Sequence, residues 1–468
     1  MNAAHAWANA EFGKVNLSDA RLNRRLIVTA AHIRENPCGT LTRTITAKSE
    51  LKGAYRLFEN EKVKHLDILQ PHLEKTRQAC RATGEYLLIE DTTECSFSQR
   101  GNIPGMGPLT HKTSQGFLAH TCLATRIERW NTDATPELTV MGLFGQECWA
   151  RETHKGSLAQ RKKKKRQQKM SGNYSPESDR WGRCILSVAS PPSGTQWTLV
   201  ADRESDIFSL MTRCQEHGVD FILRAAQLRK ALPEGKNVFT VVAKTPVLGH
   251  FVLSLRSRPG VKAREASLEV RAFSTVIKPP RENPQKLGAL PVNLVDVREI
   301  NAPEEEEPVH WLLLTSWSCE GFSQAMRVVQ GYASRWLIEE YHKALKTGTN
   351  IEDSQLSTYD RISALFAVHA VVAVDLLAIK LLARTRPDEP VSADIISSEA
   401  LQVLEHIHGR PEKGWTNDLL CRTIARMGGY QDRKSDGPPG WLTIWRGWLR
   451  LTVLLEGFLL AKGERICG

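Results

Sequence analysis

Residues 86–93 read YLLIEDTT, a short apolar run that ends in acidic and hydroxyl side chains. Three later segments follow the same pattern: TCLATRI (121–127), QWTLVADRE (196–204) and DFILRAA (220–226). Short apolar runs that end in polar residues are typical of buried strands. Because helical patterns alternate with these runs, the sequence predicts an α/β fold built around a sheet.

The strand pattern covers only the middle of the chain, and the ends are predicted to be helical. Between about 228 and 310 the sequence is strand-rich with turn signals, which indicates a β-rich insertion. RTRPDEP (384–390) is interpreted as a linker into a last helical piece. We therefore predict a helical region at 1–70, a central α/β region at 71–384 and a helical region at 385–468.

Composition and charge narrow the class of protein. The chain has 468 residues, a formal net charge of +11 and a sequence pI near 9.2, which suits a partner covered in phosphates. Its ten cysteines form no CxxC pair, so we expect reduced thiols in a cytoplasmic protein. The apolar stretch 364–382 is interrupted by His369, Asp375 and Lys380, which favours a buried core helix over a membrane span.

Two predicted helices near the amino terminus carry basic faces. Ser18 is the expected N-cap of the first, in which Leu22 and Leu26 face the core. The basic residues are Arg21, Arg24 and Arg25 on one outer face of that helix, and Lys52 and Arg56 on the next helix. These faces are interpreted either as DNA-binding surfaces or as ordinary solvated helix surfaces.

Two acidic residues stand where apolar strands end. Asp91 closes YLLIED and Asp202 closes WTLVAD. The carboxyl ends of strands in an α/β sheet are where ligands and metals bind. Strand alternation turns Glu90 to the face opposite Asp91. The alternative is that each aspartate is only a cap or turn residue.

A third acid lies in QGYASRWLIEEYHKALKTG (330–348). At about 100° per residue, one helical face carries Tyr332, Arg335, Glu339, His342 and Lys346 within an arc of about 80°. The opposite face carries Leu337, Ile338, Tyr341 and Leu345, and Glu340 points well away from Glu339. The polar face predicts a site, the alternative being a surface helix with intrahelical charge pairs. The later stripe of Trp441, Trp445 and Trp448 is typical of buried core positions, the alternative being a surface that packs against a second protomer.

Three carboxylates can hold a pair of Mg²⁺ ions, and Mn²⁺ is a compatible substitute. Two such ions would activate the attacking oxygen and stabilise the leaving oxygen in phosphoryl transfer. Arg335 and Lys346 are suited to gripping phosphate oxygens. The sequence has no Walker loop and no Rossmann glycine fingerprint, so a polynucleotide is the expected source of phosphate.

The spacing Y-x2-R-x3-E-x6-K, formed by Tyr332, Arg335, Glu339 and Lys346, resembles the signature of the insertion-sequence-four family of bacterial DDE transposases. Further matches extend the resemblance to nearly the whole chain. They are GAYRLFEN (53–60), IEDTT (89–93), ADRESDI (201–207), FILR (221–224), WLLLT (311–315) and the pattern beginning IARMGGY (424–430).

The resemblance implies a ribonuclease-H-like catalytic core with a β-rich insertion. It also implies an amino-terminal domain that binds the transposon end and a carboxy-terminal dimerisation domain. Asp91, Asp202 and Glu339 would bind the metal ions. The implied partners are double-stranded DNA, as transposon ends and target, and a second copy of the chain in the synaptic complex.

The resemblance also assigns the residues that contact DNA. Trp311 would stack on a flipped base, and the adjacent phosphate would be held by Tyr332, Arg335 and Lys346, with Arg224 nearby. His342 and Lys343 would lie in the same active region. The implied reaction is nicking of the transposon end, hairpin formation and opening, and strand transfer into target DNA.

One segment departs from the family pattern. RKKKKR (161–166) is strongly basic where the family enzyme has an acidic stretch. We interpret it either as a contact to flanking or target DNA, or as a solvated loop.

Three other functions are compatible with parts of the sequence. A metal-dependent nuclease or resolvase could use the same three acids, but would not need Trp311 beside a phosphate-gripping face. A catalytically silent DNA-binding protein is a second alternative. A carboxylate-pair hydrolase acting on sugars is the third.

Overall fold

The computed structural model describes residues 3–37, 39–111, 113–131, 135–152, 177–233, 235–255, 263–283, 285–392, 395–433 and 436–462. Its centre is one large mixed sheet with a separate apolar core on each face. Helices cover both faces of the sheet. The predicted α/β class is confirmed.

The amino-terminal region is helical, as predicted. The expected N-cap Ser18 is wrong: its φ is +64°, and the extended Asp19 caps the helix instead. The Asp19 carboxylate accepts a hydrogen bond of 2.8 Å from the backbone N–H of Arg21, which a short acidic side chain does well at a helix start. The helices are α1 (Ala3–Phe12), α2 (Ala20–Glu35), α3 (Leu41–Thr44), α4 (Lys48–Phe58) and α5 (His65–Ala79).

The sheet follows the order β2-β3-β1-β5-β6-β11-β10-β9-β7, with β4 beside β3 and β8 beside β9. Strands β1, β5 and β6 are parallel to one another, and β11 runs antiparallel to β6. The strands are β1 (Gly84–Ser96), β2 (Gly107–Pro108), β3 (Gln115–Arg129), β4 (Glu137–Trp149), β5 (Thr195–Ala201), β6 (Asp220–Arg224), β7 (Ala231–Leu232), β8 (Gly249–Leu255), β9 (Arg264–Ile277), β10 (Leu290–Glu299) and β11 (His310–Thr315).

The region predicted as a β-rich insertion is strand-rich, but it does not form a separate sheet. Strands β8, β9 and β10 pair with one another, and β10 pairs with β11. Because β11 also pairs with β6, these strands extend the central sheet outward. The backbone hydrogen bonds of β11 are satisfied on both sides by this arrangement.

The remaining helices pack around the sheet and form the carboxy-terminal end. The helix α11 is long and apolar enough to cross a membrane by length and composition, yet it is mostly buried inside the protein, as expected of a core helix. The helices are α6 (Arg183–Leu186), α7 (Phe208–Glu216), α8 (Val238–Val242), α9 (Phe322–Ala333), α10 (Trp336–Lys343), α11 (Tyr359–Thr385), α12 (Ser398–His408), α13 (Asn417–Met427) and α14 (Trp441–Ala461).

The carboxy-terminal helices α12 to α14 enclose a small core of their own around Leu404, Trp415 and Leu451. Trp441 and Trp445 are buried within the chain, so these two positions of the predicted aromatic stripe are core positions. Trp441, however, belongs to the large central core and not to the small one.

Candidate active site

Two aspartates and an arginine form a row across three parallel strands. In the sheet, Ile89 of β1 is paired with Val200 of β5, and Val200 with Ile222 of β6. All three side chains are buried in the same core, so they point to the same face. Asp91, Asp202 and Arg224 come two residues further along the chain, Asp91 and Arg224 within their strands and Asp202 as the extended residue that follows β5. Strand alternation places positions two residues apart on the same face.

This row lies at the edge of the sheet where the parallel strands β5 and β6 end. Neighbouring strands are about 4.8 Å apart, which brings side chains in one row close together. Asp202 also caps the short helix 203–205, since its carboxylate accepts from the backbone N–H of Glu204 at 2.9 Å. Asp202 is therefore a helix cap and also follows the end of β5, so the two interpretations of this residue are compatible.

Asp91 is the most strongly perturbed acid in the row. Burial raises the pKa of its carboxyl to about 6, and the negative charges of Asp202 and Glu339 act in the same direction. A hydrogen bond of 2.8 Å from the backbone N–H of Thr92 opposes the shift. The three predicted acids thus act on one another electrostatically.

Arg335 lies between two of these acids. Its guanidinium is 2.6 Å from a carboxylate oxygen of Glu339 and 3.8 Å from a carboxylate oxygen of Asp91. The arginine therefore supplies positive charge where carboxylates would otherwise repel one another. Within the described ranges, no three His, Cys, Asp or Glu side chains are grouped as ligands of one metal ion.

The helix that carries Glu339 is shorter than the sequence predicted. α9 ends at Ala333, α10 begins at Trp336, and a π-helical turn occupies Ala344–Gly348. The Ser334 hydroxyl donates to the backbone carbonyl of Gln330 at 2.9 Å, a bond that competes with regular helix geometry. A uniform rotation of 100° per residue therefore does not apply from Tyr332 to Lys346.

The predicted core face of this segment is nevertheless confirmed. The side chains of Leu337, Ile338, Tyr341 and Leu345 are fully buried. Glu339 is exposed and Glu340 turns to a different flank, as expected from their positions on the helix.

An aromatic pair lies beside the arginine end of the row. The rings of Trp311 and Tyr332 meet edge to face, with centroids 5.5 Å apart. Arg224 is paired with Leu313 in the sheet and donates to the backbone carbonyl of His310 at 2.8 Å. Trp311, two residues from Leu313, shares its face, so Trp311 and Arg224 point to the same side of the sheet.

Three further predicted residues occupy different environments. His342 is buried, and its pKa is lowered to about 3 by burial, with the charge of Lys346 contributing. Lys343 is turned to the flank of α10 away from Glu339, where its ammonium is 3.1 Å from Glu340. His342 therefore lies in the protein interior, and Lys343 lies on the flank of α10 that carries Glu340. Lys346 lies in the π-helical turn that follows α10.

A buried hydrogen-bond network that the sequence did not reveal fixes α10 to the sheet. The amide nitrogen of Gln146 donates to the Thr121 hydroxyl at 2.9 Å and to the Tyr341 hydroxyl at 3.3 Å. Thr121 is the cross-strand partner of Asp91. No motif marks these residues, because the contact joins the neighbouring strands β3 and β4 to α10, which is distant in sequence.

The basic residues of the amino-terminal helices are mostly exposed. Arg24, Lys52 and Arg56 are exposed, whereas Arg21 forms a 3.0 Å ion pair with Asp19. The side chain of Arg25 lies against Gly53 of α4. The predicted basic segment 161–166 lies outside the described residues.

Comparison with known protein families gives one match. Residues 4–63 match the family described as transposase DNA-binding. The matched residues include most of α1 and all of α2, α3 and α4, with the exposed basic side chains. The match supports a transposase, a DNA-processing enzyme with DNA as its partner.

Proposed function

We propose that this chain is a DDE transposase of the insertion-sequence-four family that moves DNA by a cut-and-paste reaction. The observation that carries the proposal is the position of Arg335, whose guanidinium lies 2.6 Å from a carboxylate oxygen of Glu339 and 3.8 Å from one of Asp91. The charge of Asp202 also acts on Asp91 and helps to raise its pKa. The match of residues 4–63 to transposase DNA-binding domains supports the same function independently. The central part of the sheet would correspond to a ribonuclease-H-like core.

The chemistry of the three acidic side chains fits divalent metal ions. Asp91, Asp202 and Glu339 offer only oxygen atoms, which Mg²⁺ and Mn²⁺ prefer. Burial raises the pKa of Asp91, with the charges of Asp202 and Glu339 adding to the shift, and a cation between the acids would offset this cost of ionisation. Such ions would activate the attacking oxygen and stabilise the leaving oxygen of a DNA phosphodiester. Glu339 would then exchange its ion pair with Arg335 for the metal.

The cationic side chains around the row would hold the DNA backbone. Arg335, once released from Glu339, presents a planar fork of donors that matches two phosphate oxygens. Lys346 in the π-helical turn and Arg224 at the end of β6 would add positive charge. Together these residues would orient the phosphodiester against the acids.

The aromatic pair distinguishes this proposal from a simple nuclease. Trp311 is only partly buried, so its ring can accept a base against its face. Tyr332 packs edge to face against it and fixes its orientation. A base held outside the duplex would let the freed 3′-hydroxyl attack the opposite strand and form a hairpin, a step that simple cutting does not need.

The carboxy-terminal part would join two protomers so that two transposon ends are cut together. Helix α14 exposes the large apolar side chains of Val453 and Leu460, with 66% and 63% of their surfaces accessible. Exposed apolar side chains of this kind are typical of association surfaces. A homodimer would then form the synaptic complex.

The test uses DNA that carries the ends flanking the coding sequence of this chain. Wild-type protein, Asp91→Ala, Glu339→Ala and the control Glu216→Gln on the exposed side of α7 are incubated with Mg²⁺, and products are resolved on a denaturing gel. We expect metal-dependent excision with a hairpin at the released end for wild type and control only. DNA binding without cleavage by folded wild-type protein would instead identify a catalytically silent DNA-binding protein.

A further inference from the structure

Glu340, the neighbour of Glu339, is the centre of a second charged cluster on the other flank of α10. One carboxylate oxygen accepts from Lys380 of α11 at 2.7 Å and from the indole N–H of Trp441 of α14 at 2.9 Å. The other oxygen accepts from Lys343 at 3.1 Å. Three elements that are distant in sequence thus meet at one side chain.

The cluster is largely shielded from water. The side chains of Glu340 and Lys380 are 13% and 25% exposed, and the Lys380 ammonium lies 4.4 Å from the centre of the Trp441 ring. Burial acts to raise the pKa of Glu340, yet hydrogen bonds and charge from Lys380 and Lys343 lower it to about 2. The Glu340 carboxylate is therefore ionised near neutral pH, and both of its oxygens accept hydrogen bonds.

Trp441 connects the carboxy-terminal helix to the segment that carries the candidate site. It is the first residue of α14, and its ring is buried in the central core together with Ala344 and Leu345 of the π-helical turn. The rest of α14 packs mainly in the small carboxy-terminal core. The amino end of α14 is consequently docked against α10 and the turn that follows it.

Helix α10 needs such an anchor because it is short and is not part of a longer regular α-helix. It has eight residues, is separated from α9 by a break at Ser334 and Arg335, and passes directly into the π-helical turn. Tyr341 fixes its sheet side through Gln146. Glu340 fixes the opposite flank, so the two contacts together define where Glu339 stands.

We propose that Glu340 is a positioning residue that holds Glu339 in place by tying α10 to Lys380 and Trp441. This inference rests on the proposed function, since it assigns Glu340 a role in metal-dependent DNA cleavage. It also makes the amino end of α14 part of the support of the active site. Residues that orient metal ligands contribute about 10- to 100-fold in metal affinity or activity.

The test measures the rate of end cleavage as a function of Mg²⁺ concentration. Glu340→Gln keeps the size of the side chain but removes its charge. Trp441→Phe keeps a smaller aromatic ring but removes the N–H donor. Trp448→Phe is the matched control, because it removes an indole from the same helix within the small carboxy-terminal core. End-DNA affinity and thermal stability are measured for every variant.

We expect Glu340→Gln and Trp441→Phe to need about tenfold more Mg²⁺ for half-maximal rate, with unchanged affinity for end DNA. The double variant should lose less than the sum of the two single losses, because both changes weaken the same cluster. Trp448→Phe should keep the wild-type Mg²⁺ requirement.

Wild-type Mg²⁺ dependence in Glu340→Gln and Trp441→Phe, whatever their thermal stability, would overturn the positioning role. If wild-type protein cuts no DNA, the proposed function fails, and Mn²⁺ binding to the same variants by calorimetry decides the positioning role separately. Weaker Mn²⁺ binding to Glu340→Gln and Trp441→Phe than to Trp448→Phe supports it, and equal binding contradicts it.

Discussion

The amino-terminal helices and the acidic sheet edge support the same function in opposite ways. On α2 and α4, basic side chains such as Arg24 and Lys52 extend into solvent from a helical scaffold. In the second region, Asp91 is held by strand register and burial, and Arg335 lies between it and the exposed Glu339 of α10. The exposed basic surface of the first region can contact a long stretch of the DNA backbone. The fixed acids of the second region can act on only one phosphodiester.

The two regions also differ in what they cost the fold. Exposed arginines and lysines keep most of their hydration, so their presence changes stability little. A half-buried aspartate near two other acids is destabilising unless a cation neutralises it. The affinity for DNA and the rate of cleavage should therefore respond to different substitutions.

The largest effect is expected for the acids of the sheet edge. Asp91→Asn, Asp202→Asn or Glu339→Gln should each slow metal-dependent cleavage by about a thousandfold or more, since several kcal/mol of transition-state stabilisation depend on the metal site. Affinity for end DNA in a filter-binding or gel-shift assay should stay close to wild type. If affinity for end DNA were lost together with cleavage, DNA binding and cleavage would not depend on separate regions.

The same substitution at Asp91 should stabilise the fold. Because burial raises the folded-state pKa of Asp91 to about 6 from 3.8, the folded state holds this proton more tightly and the free energy of unfolding falls as pH rises between these values. Asp91→Asn should thus gain up to about 3 kcal/mol at pH 8 relative to pH 4. Denaturant unfolding at the two pH values measures it, and saturating Mg²⁺ should shrink the gain at pH 8. An equal gain at both pH values would contradict the charge argument.

A smaller effect is expected at the aromatic pair. Trp311→Ala should slow hairpin formation by roughly 5- to 150-fold, since base stacking is worth about 1–3 kcal/mol. The first nick should proceed at nearly the wild-type rate. Trp311→Phe keeps an aromatic face and should recover most of the loss. Equal slowing of both steps would show that Trp311 supports the acids and not the flipped base.

The smallest effect per residue is expected on the amino-terminal helices. Arg24→Ala, Lys52→Ala and Arg56→Ala should each lower the salt dependence of end-DNA binding by about 0.9 in the log–log slope if each contacts one phosphate. Cleavage at saturating DNA should be unchanged. Arg410→Ala, at a side chain that is 83% exposed far along the chain, is the control and should leave the slope unaltered. A slope that changes with Arg410 and not with Arg24 would relocate the DNA-binding surface.

Strand ends and the buried face of a helix could be predicted from local patterns in the sequence. Asp202 stands out because the apolar strand β5 ends beside it, and strand ends are visible in a linear pattern. The predicted strand end at Asp91 is wrong, because β1 continues through it to Ser96. The buried face of α10 is equally visible, because Leu337, Ile338 and Tyr341 recur at helical spacing. Local periodicity was sufficient for both.

Features set by tertiary contacts were not predictable in this way. The alignment of Arg224 with the two aspartates depends on the register of three strands, which no single segment specifies. The bond between Glu340 and Trp441 joins residues 101 positions apart. The break before α10 and the π-helical turn after it depend on side-chain bonds that override the intrinsic helical preference.

Whether Asp91, Asp202 and Glu339 form a metal centre can be tested directly in the absence of DNA. Replacing Mg²⁺ by Fe²⁺ in the presence of ascorbate and peroxide generates hydroxyl radicals that cut the polypeptide beside the bound ion. We predict fragments that end near residues 91, 202 and 339, lost in Asp202→Asn and suppressed by excess Mg²⁺. Cuts at other positions, or cuts that persist in Asp202→Asn, would show that these three acids do not form a metal centre.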